Sequence, residues 1–102
     1  MAHIDLTGEN FIAGNWVPGG GDVFSSYSPA NGERIWTGYE TDEAGISAAV
    51  EAAQDAFKRW SRLKLEDRLE YIERYAVLAA EHKEELARLI SNETGKALWD
   101  AR

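Results

Sequence analysis

The first forty residues alternate short apolar runs with turn residues, a pattern typical of β-strands. All but one of the nine glycines and both prolines fall within residues 1–45. The segments "NFIAG" and "NWV" predict two short strands joined around residues 13–15, and "PGGGD" predicts a loop. The segments "VFSSYS" and "ERIWTGYE" flank the turn residues "PANG", so residues 23–39 are predicted to form a β-hairpin.

From Thr41 onward the apolar period changes to that of a helix. Thr41 is predicted to cap this helix, with Asp42 and Glu43 in a first turn where the helix dipole favours negative charge. On the polar side, Asp55 and Arg59 are spaced for an i,i+4 ion pair. Apolar side chains recur at spacings of three and four, which places them on one face: Ile46, Val50, Ala53, Phe57 and Trp60.

A second helical run is predicted to begin near Leu65. The segment "EHKEE" at residues 81–85 interrupts its apolar spacing, which predicts a kink or a short break between two helices. Gly95 is placed to end the run in the left-handed conformation, and residues 96–99 open a third helix. The apolar faces of both runs are interpreted as core, and their bulkiest members are Phe57, Trp60, Leu69 and Ile72.

These patterns predict an α+β fold, with N-terminal β-hairpins followed by two to three helices. Residues 1–9 are predicted to be a flexible N-terminus, residues 10–40 the hairpin region and residues 41–102 the helical region, all parts of one domain. A chain of 102 residues with 44% hydrophobic content is long and apolar enough to build one core.

Charge and cysteine content exclude several kinds of function. The net charge of -7 disfavours nucleic acid and anionic membranes as partners, because both attract an excess of Lys and Arg. The absence of cysteine excludes disulfides, thiolate metal sites and a cysteine nucleophile within this chain. The N-terminus lacks the apolar run of a signal peptide, and no stretch approaches the roughly 20 apolar residues that span a bilayer. The simplest expectation is a cytoplasmic protein.

Two glycine-containing segments suggest phosphate binding, but neither has the required pattern. In "TGK" at residues 94–96, the positions where a P-loop needs Gly and Ser or Thr hold Ile90 and Ala97. The three glycines at residues 19–21 follow a proline and do not open a helix, as a dinucleotide-binding fingerprint would. Both segments are therefore interpreted as plain loop or helix-end residues.

A metal site can be drawn around His82 and Glu85, with Glu81 and Glu84 beside them. The other histidine, His3, lies at the N-terminus, and helical metal sites normally take ligands from facing helices. These residues are therefore interpreted as a solvated helix face, with no metal expected.

A basic cluster surrounds Trp60 and resembles a nucleic-acid patch. Glu66 and Asp67 interrupt it in an acidic chain, so it is interpreted as ordinary surface. Its members are Lys58, Arg59, Arg62, Lys64 and Arg68. The patterns alone thus assign no catalytic, cofactor-binding or metal-ligating residue.

The order of three segments resembles the N-terminal part of the aldehyde dehydrogenase superfamily. They are "FIAGNWV", "YSPANGERIWTG" and the helical stretch from "AVEAAQDAFKRW" to "ETGKALWDAR". The most specific elements are the spacing from Phe57 and Trp60 to Arg68, and the "ETGK" of residues 93–96. Lys64 stands where the family often has a capping Ser, Thr or Asp, so the second helix has no predicted cap.

Within the superfamily, Trp36 in "IWTG", the segment "RWSRLKLEDR" and Trp99 in "ETGKALWDA" resemble the N-succinylglutamate 5-semialdehyde dehydrogenases of bacterial arginine catabolism. This resemblance implies oxidation of an aldehyde to a carboxylic acid, with N-succinylglutamate 5-semialdehyde as substrate and NAD or NADP as cofactor. It also implies that the chain is a piece of a longer enzyme, part of an α/β Rossmann-like cofactor-binding domain. There the hairpins lie outside and the helices cover a parallel sheet.

The family reaction uses a cysteine nucleophile, hydride transfer to the nicotinamide and a glutamate-activated water. This chain has no cysteine, and the other motif residues of the family fall elsewhere, so no catalytic or cofactor-binding residue is assigned to it. The chain alone is expected to be inactive and to bind no cofactor. Its two apolar faces exceed what small hairpins can cover, so a homo-oligomer is expected. The alternative is a free-standing helical interaction module without enzymatic activity.

Overall fold

The computed structural model describes residues 5–102, and the N-terminal part of the chain forms two separate antiparallel hairpins. Strand β1 pairs with β2, and β3 pairs with β4. The predicted hairpin over residues 23–39 is therefore confirmed. The four strands are β1, Asn10–Ile12; β2, Asn15–Val17; β3, Val23–Tyr27; and β4, Arg34–Tyr39.

A two-residue turn closes the first hairpin. Ala13 and Gly14 both have positive φ, at 52° and 82°, which is the backbone of a type I′ turn. This turn matches the twist of the flanking strands and sets Phe11 opposite Trp16. Their ring centroids lie 5.0 Å apart, so the hairpin displays one aromatic pair on its surface.

The C-terminal part of the chain is helical, and together with the hairpins it confirms the α+β prediction. His82, with φ -95° and ψ 8°, separates the second and third helices, so the interruption predicted over residues 81–85 is a break. Gly95 ends the third helix at φ 77°, as predicted. Residues 5–102 contain four helices rather than two or three: α1, Glu43–Trp60; α2, Leu65–Glu81; α3, Lys83–Thr94; and α4, Leu98–Ala101.

The cap of α1 differs from the sequence prediction. Asp42, not Thr41, caps the helix, because the Asp42 Oδ1 accepts a hydrogen bond of 2.9 Å from the backbone N–H of Gly45. The Thr41 hydroxyl is engaged elsewhere: it accepts from the Asn10 side-chain amide at 2.6 Å. Thr41 thereby ties β1 to the start of α1. At α2 the residue before the helix, Lys64, makes no side-chain cap, as predicted.

The second hairpin is attached to α3. The Ser26 hydroxyl donates to Glu93 Oε2 at 2.7 Å, which joins strand β3 to the last turn of that helix. Pro29, in the hairpin loop, lies beside Gly95, where an added Cβ would come within 3.2 Å of the proline ring. These contacts hold the end of α3 against the hairpin.

The chain has little interior. Its Cα radius of gyration is 16.8 Å, whereas a compact domain of this length has about 13 Å. In residues 5–102, the one apolar side chain that is buried is Ala87 of α3, at 2% exposure. The helices and hairpins form an open arrangement rather than two layers that enclose a core.

The prediction that the bulky helical residues form a core is therefore wrong for this chain. Phe57 is 62% exposed and Trp60 is 39% exposed, and Leu69 and Ile72 are exposed as well. Helical periodicity identified the apolar faces correctly, but a face becomes core only where another element covers it. The described elements leave these faces open.

Trp60→Ala is expected to lower the stability of the chain by about 2 kcal/mol, less than the roughly 3–5 kcal/mol of a fully buried tryptophan. The indole packs edge-on against Tyr71, with ring centroids 5.4 Å apart, while part of it faces solvent. Urea unfolding measures the change, and Tyr71→Ala completes a double-mutant cycle with an expected coupling of about 0.5–1.5 kcal/mol. Additive effects of the two substitutions would contradict the proposed ring contact.

Candidate functional site

The glycine loop at residues 19–21 is used for structure. The backbone N–H of Gly21 donates to the carbonyl of Glu40 at 2.7 Å, and Gly19 lies against the backbone of residues 39 and 40 so closely that a Cβ would not fit. Gly20 lies directly beside the carboxylate of Asp42. That carboxylate would repel a phosphate, so the geometry agrees with the interpretation of this segment as a plain loop.

Gly95 and Lys96 lie between the C-terminus of α3 and the four-residue helix α4, and the end of α3 is unfavourable for an anion. They follow the C-terminus of α3, where the helix dipole is negative, whereas phosphate binds at helix N-termini. The Lys96 Nζ is 3.6 Å from Asp100 Oδ2, within the next helix turn. The structure thus gives "TGK" the role of a helix end.

The possible metal site contains one pair of side chains. His82 Nδ1 lies 3.7 Å from Glu85 Oε2 at the start of α3. Within residues 5–102, no three His, Asp or Glu side chains converge in a way that could hold a metal ion. The second histidine considered from the sequence, His3, lies outside the described residues.

The basic cluster after α1 is spread over the end of that helix and the start of α2. Lys58 Nζ pairs with Asp55 Oδ1 at 3.7 Å, so the predicted partner of Asp55, Arg59, is replaced by its neighbour. Both side chains of this pair are about two-thirds exposed, so the pair contributes little to stability. Within the cluster, Arg59 borders a concavity of about 610 Å³ on α1, and the Nε of Arg68 is buried without a hydrogen-bond partner among the described residues.

Two of the open features are lined mainly by apolar side chains. A groove of about 350 Å³ between β1 and α1 is lined by Phe11 and Ile12 on one side and by Ile46 and Val50 on the other. A second concavity of about 370 Å³, at the α2–α3 break, is lined by Tyr75, Leu78, Ala79, His82 and Leu86. The prediction that the chain presents more apolar surface than it can cover is confirmed.

Sequence reasoning missed the long-range polar contacts. Ser26 and Glu93 are 67 positions apart, and Asn10 and Thr41 are 31 apart. No local pattern marks such pairs, because each residue also fits its own element as ordinary surface. None of the described helices is both long and apolar enough to cross a bilayer.

The geometry of the chain is that of a known enzyme family. The sequence profile of the aldehyde dehydrogenase family matches residues 16–102. The chain is 46% identical over 94 residues to the N-succinylglutamate 5-semialdehyde dehydrogenase of Burkholderia thailandensis, a match that covers 92% of this chain and 19% of that enzyme. It therefore spans about a fifth of the length of this curated relative.

Solved structures agree with the sequence match. A NAD-dependent benzaldehyde dehydrogenase from Corynebacterium glutamicum superposes with a TM-score of 0.90 at 31% identity, over 98% of this chain and 22% of that one. A betaine aldehyde dehydrogenase from Staphylococcus aureus in complex with NAD+ superposes with a TM-score of 0.88 at 32% identity. The match covers 95% of this chain and 20% of that chain. On both sequence and fold, the chain belongs to the aldehyde dehydrogenase family.

Proposed function

We propose that this chain is the N-terminal segment of an NAD(P)-dependent aldehyde dehydrogenase that oxidises N-succinylglutamate 5-semialdehyde to N-succinylglutamate in arginine catabolism. The observation that carries the proposal is the 46% identity to an enzyme of that name, sustained over 92% of the chain. The oxidation transfers a hydride from substrate to NAD(P), and water supplies the second oxygen of the carboxylate.

The exposed apolar faces support the proposal that this chain is part of a larger protein. Phe57 and Val50 on α1 are 62% and 63% exposed, and the α2–α3 concavity is equally open. Apolar surface of this extent marks a contact with further protein. The relative matched over most of this chain is about five times as long, which leaves ample polypeptide to supply that contact.

The catalytic and cofactor-binding residues are proposed to lie outside this chain. It contains no cysteine, and in residues 5–102 the glycine loop and the "TGK" segment both lack the geometry to bind a phosphate. NAD is the favoured cofactor, because the two structural neighbours described above are named for or bound to NAD. A cytoplasmic location is proposed as well, and the net charge of -7 supports the absence of nucleic-acid and membrane partners.

The enzyme made from the complete reading frame is expected to prefer a semialdehyde that carries carboxylates. Purified enzyme would be assayed for NADH formation with N-succinylglutamate 5-semialdehyde, benzaldehyde and betaine aldehyde. We expect kcat/KM for the first to exceed the other two by at least about 100-fold, because a site that pairs with carboxylates rejects benzaldehyde, which is uncharged, and betaine aldehyde, which carries a cation instead. NADP in place of NAD is the matched cofactor control.

A preference for benzaldehyde or betaine aldehyde would contradict the proposed substrate but agree with the proposed enzyme class. Failure to oxidise any aldehyde would overturn both. The second candidate function, a free-standing interaction module, is favoured only by the open apolar faces. Reading the gene beyond the codon of Arg102 separates the two: a stop codon at that point supports the module, and a long frame that encodes a cysteine supports the enzyme.

A further inference from the structure

The loop that joins β3 to β4 contains an Asn-Gly pair, Asn31 and Gly32. The chain has four asparagines, and the other three precede larger residues: Phe11, Trp16 and Glu93. Glycine has no Cβ, so no side chain shields the backbone nitrogen of Gly32. Both residues of the pair are exposed. Apart from Gly32 and its two neighbours, no heavy atom of residues 5–102 lies within 4 Å of the place where a Cβ would be. The Asn31 side chain therefore has room to reach that nitrogen.

The two residues of this pair can react with each other, and water is the one further reactant. After the Gly32 N–H loses its proton to a base in solution, the nitrogen attacks the side-chain Cγ of Asn31. The new C–N bond closes a five-membered succinimide ring. The bond from Cγ to the side-chain nitrogen breaks, and that nitrogen leaves as ammonia. Water then opens the ring at either carbonyl, which gives aspartate or isoaspartate without oxidation or reduction.

The folded loop restrains this reaction. The Gly32 N–H donates to the carbonyl of Ser28 at 2.8 Å, so the proton that must leave is held in a hydrogen bond. The Asn31 Oδ1 accepts from the N–H of Glu33 at 2.9 Å, which holds the side chain in one position. Attack requires the Gly32–Ser28 bond to open and the Asn31 side chain to turn toward the freed nitrogen. Exposed loops of this kind open at little cost in free energy, so the restraint slows the reaction without preventing it.

We propose that Asn31 is a site of spontaneous deamidation, and that opening of the β3–β4 loop controls its rate. All the reacting atoms belong to this loop and to water, so the reaction requires no free surface for a protein partner. It does not rest on the proposed enzymatic function either. The rate in the folded chain is lower than in the unfolded chain by roughly 3- to 10-fold, the factor that one hydrogen bond of ordinary strength contributes.

Deamidation alters how the second hairpin is held on α3. Both products add one negative charge, and isoaspartate also routes the main chain through the former side chain, which lengthens the loop by one carbon. The lengthened loop cannot keep the present geometry of the Gly32–Ser28 bond, because that bond spans residue 31. Pro29 of the same loop lies beside Gly95, the residue that ends α3. Isoaspartate at position 31 therefore loosens the contact between the hairpin and the end of α3.

The 102-residue chain, incubated in mildly alkaline buffer made with heavy-oxygen water, tests the site. Each product gains a heavy oxygen, so mass spectrometry of proteolytic peptides measures the rate at every asparagine. Asn31 is expected to react at least about tenfold faster than Asn10, Asn15 and Asn92, because a side chain on the following residue obstructs the attack. A rate at Asn31 no higher than at the other three overturns the site. Asn31→Gln is the blank, because its longer side chain would have to close a six-membered ring.

Control of the rate by the loop is tested in the same assay. Circular dichroism confirms that the chain is folded in buffer, and guanidinium chloride is expected to raise the Asn31 rate roughly 3- to 10-fold. Pro29→Gly loosens the loop and is expected to raise the rate in buffer by about two- to fivefold. Pro18→Gly, the same change in the β2–β3 loop, is the matched control and is expected to leave the rate unchanged. An unchanged rate on unfolding, or an equal increase in both proline variants, overturns control by this loop.

The effect of the product on the hairpin is measured on the isoaspartate form, separated from the unmodified chain by ion exchange. Its Tm is expected to be lower by about 4–8 °C, the shift that corresponds to losing a contact of ordinary strength in a domain of this size. Equal Tm values for the two forms overturn the loosening of the hairpin.

Discussion

The purified 102-residue chain is expected to form no NADH or NADPH from any aldehyde. The reaction that the family resemblance implies begins with a cysteine thiolate that attacks the aldehyde carbon, and this chain contains no cysteine. Within residues 5–102, no three His, Asp or Glu side chains converge, and His82 pairs with Glu85 at 3.7 Å. Without the covalent step, no cysteine adduct forms from which a hydride could pass to the nicotinamide.

The measurement is absorbance at the nicotinamide band with chain, aldehyde and either cofactor. Enzymes commonly have kcat values of about 1–1,000 per second. A measured upper limit on kcat of roughly 0.001 per second, at high chain concentration, therefore excludes even a poor catalyst. An intact aldehyde dehydrogenase serves as the positive control. Reduced cofactor that increases in proportion to the amount of chain, across independent preparations, would contradict this expectation.

Ala87→Asp is expected to have the largest effect on stability. Ala87 is 2% exposed, so the new carboxylate would be desolvated. An uncompensated buried charge costs about 3–5 kcal/mol, which in a domain of this size corresponds to a fall in Tm of at least about 12 °C. Because the chain has so little other interior, loss of the cooperative transition is an equally consistent result.

Ala76→Asp is the control for that substitution. It makes the same chemical change at an exposed position of α2, so it carries the helix-propensity cost without the burial. Thermal unfolding followed by circular dichroism compares the two variants under conditions where the wild type is monomeric. Equal destabilisation by Ala76→Asp and Ala87→Asp would show that Ala87 does not lie at the centre of the fold.

The sequence predicted the elements well because their signals are local. The turn at Ala13 and Gly14, the helix end at Gly95 and the period of α1 each depend on residues a few positions apart. The cap of α1 was assigned to Thr41 instead of Asp42, because the hydrogen bond that occupies the Thr41 hydroxyl comes from Asn10. No local pattern reports that contact.

The prediction of a buried core was the larger error, and its cause applies to amphipathic helices in general. Apolar spacing places Phe57 and Ile72 on their faces but says nothing about what covers them. No described element covers these residues in this chain, so they lie on the surface. The candidate chemistry was easier to judge, because phosphate loops and metal sites require several groups at fixed spacing, and missing members can be read directly from the sequence.

The hydrogen bond between Ser26 and Glu93 has a consequence for the order in which the chain folds. The hairpin of β3 and β4 closes over a few residues and can form within microseconds. Its anchor on α3 closes a loop across 67 positions, whose entropy cost must be met before the contact contributes any stability. During synthesis from the N-terminus the hairpin therefore emerges first, and its Ser26 hydroxyl stays without this partner until the last turn of α3 leaves the ribosome.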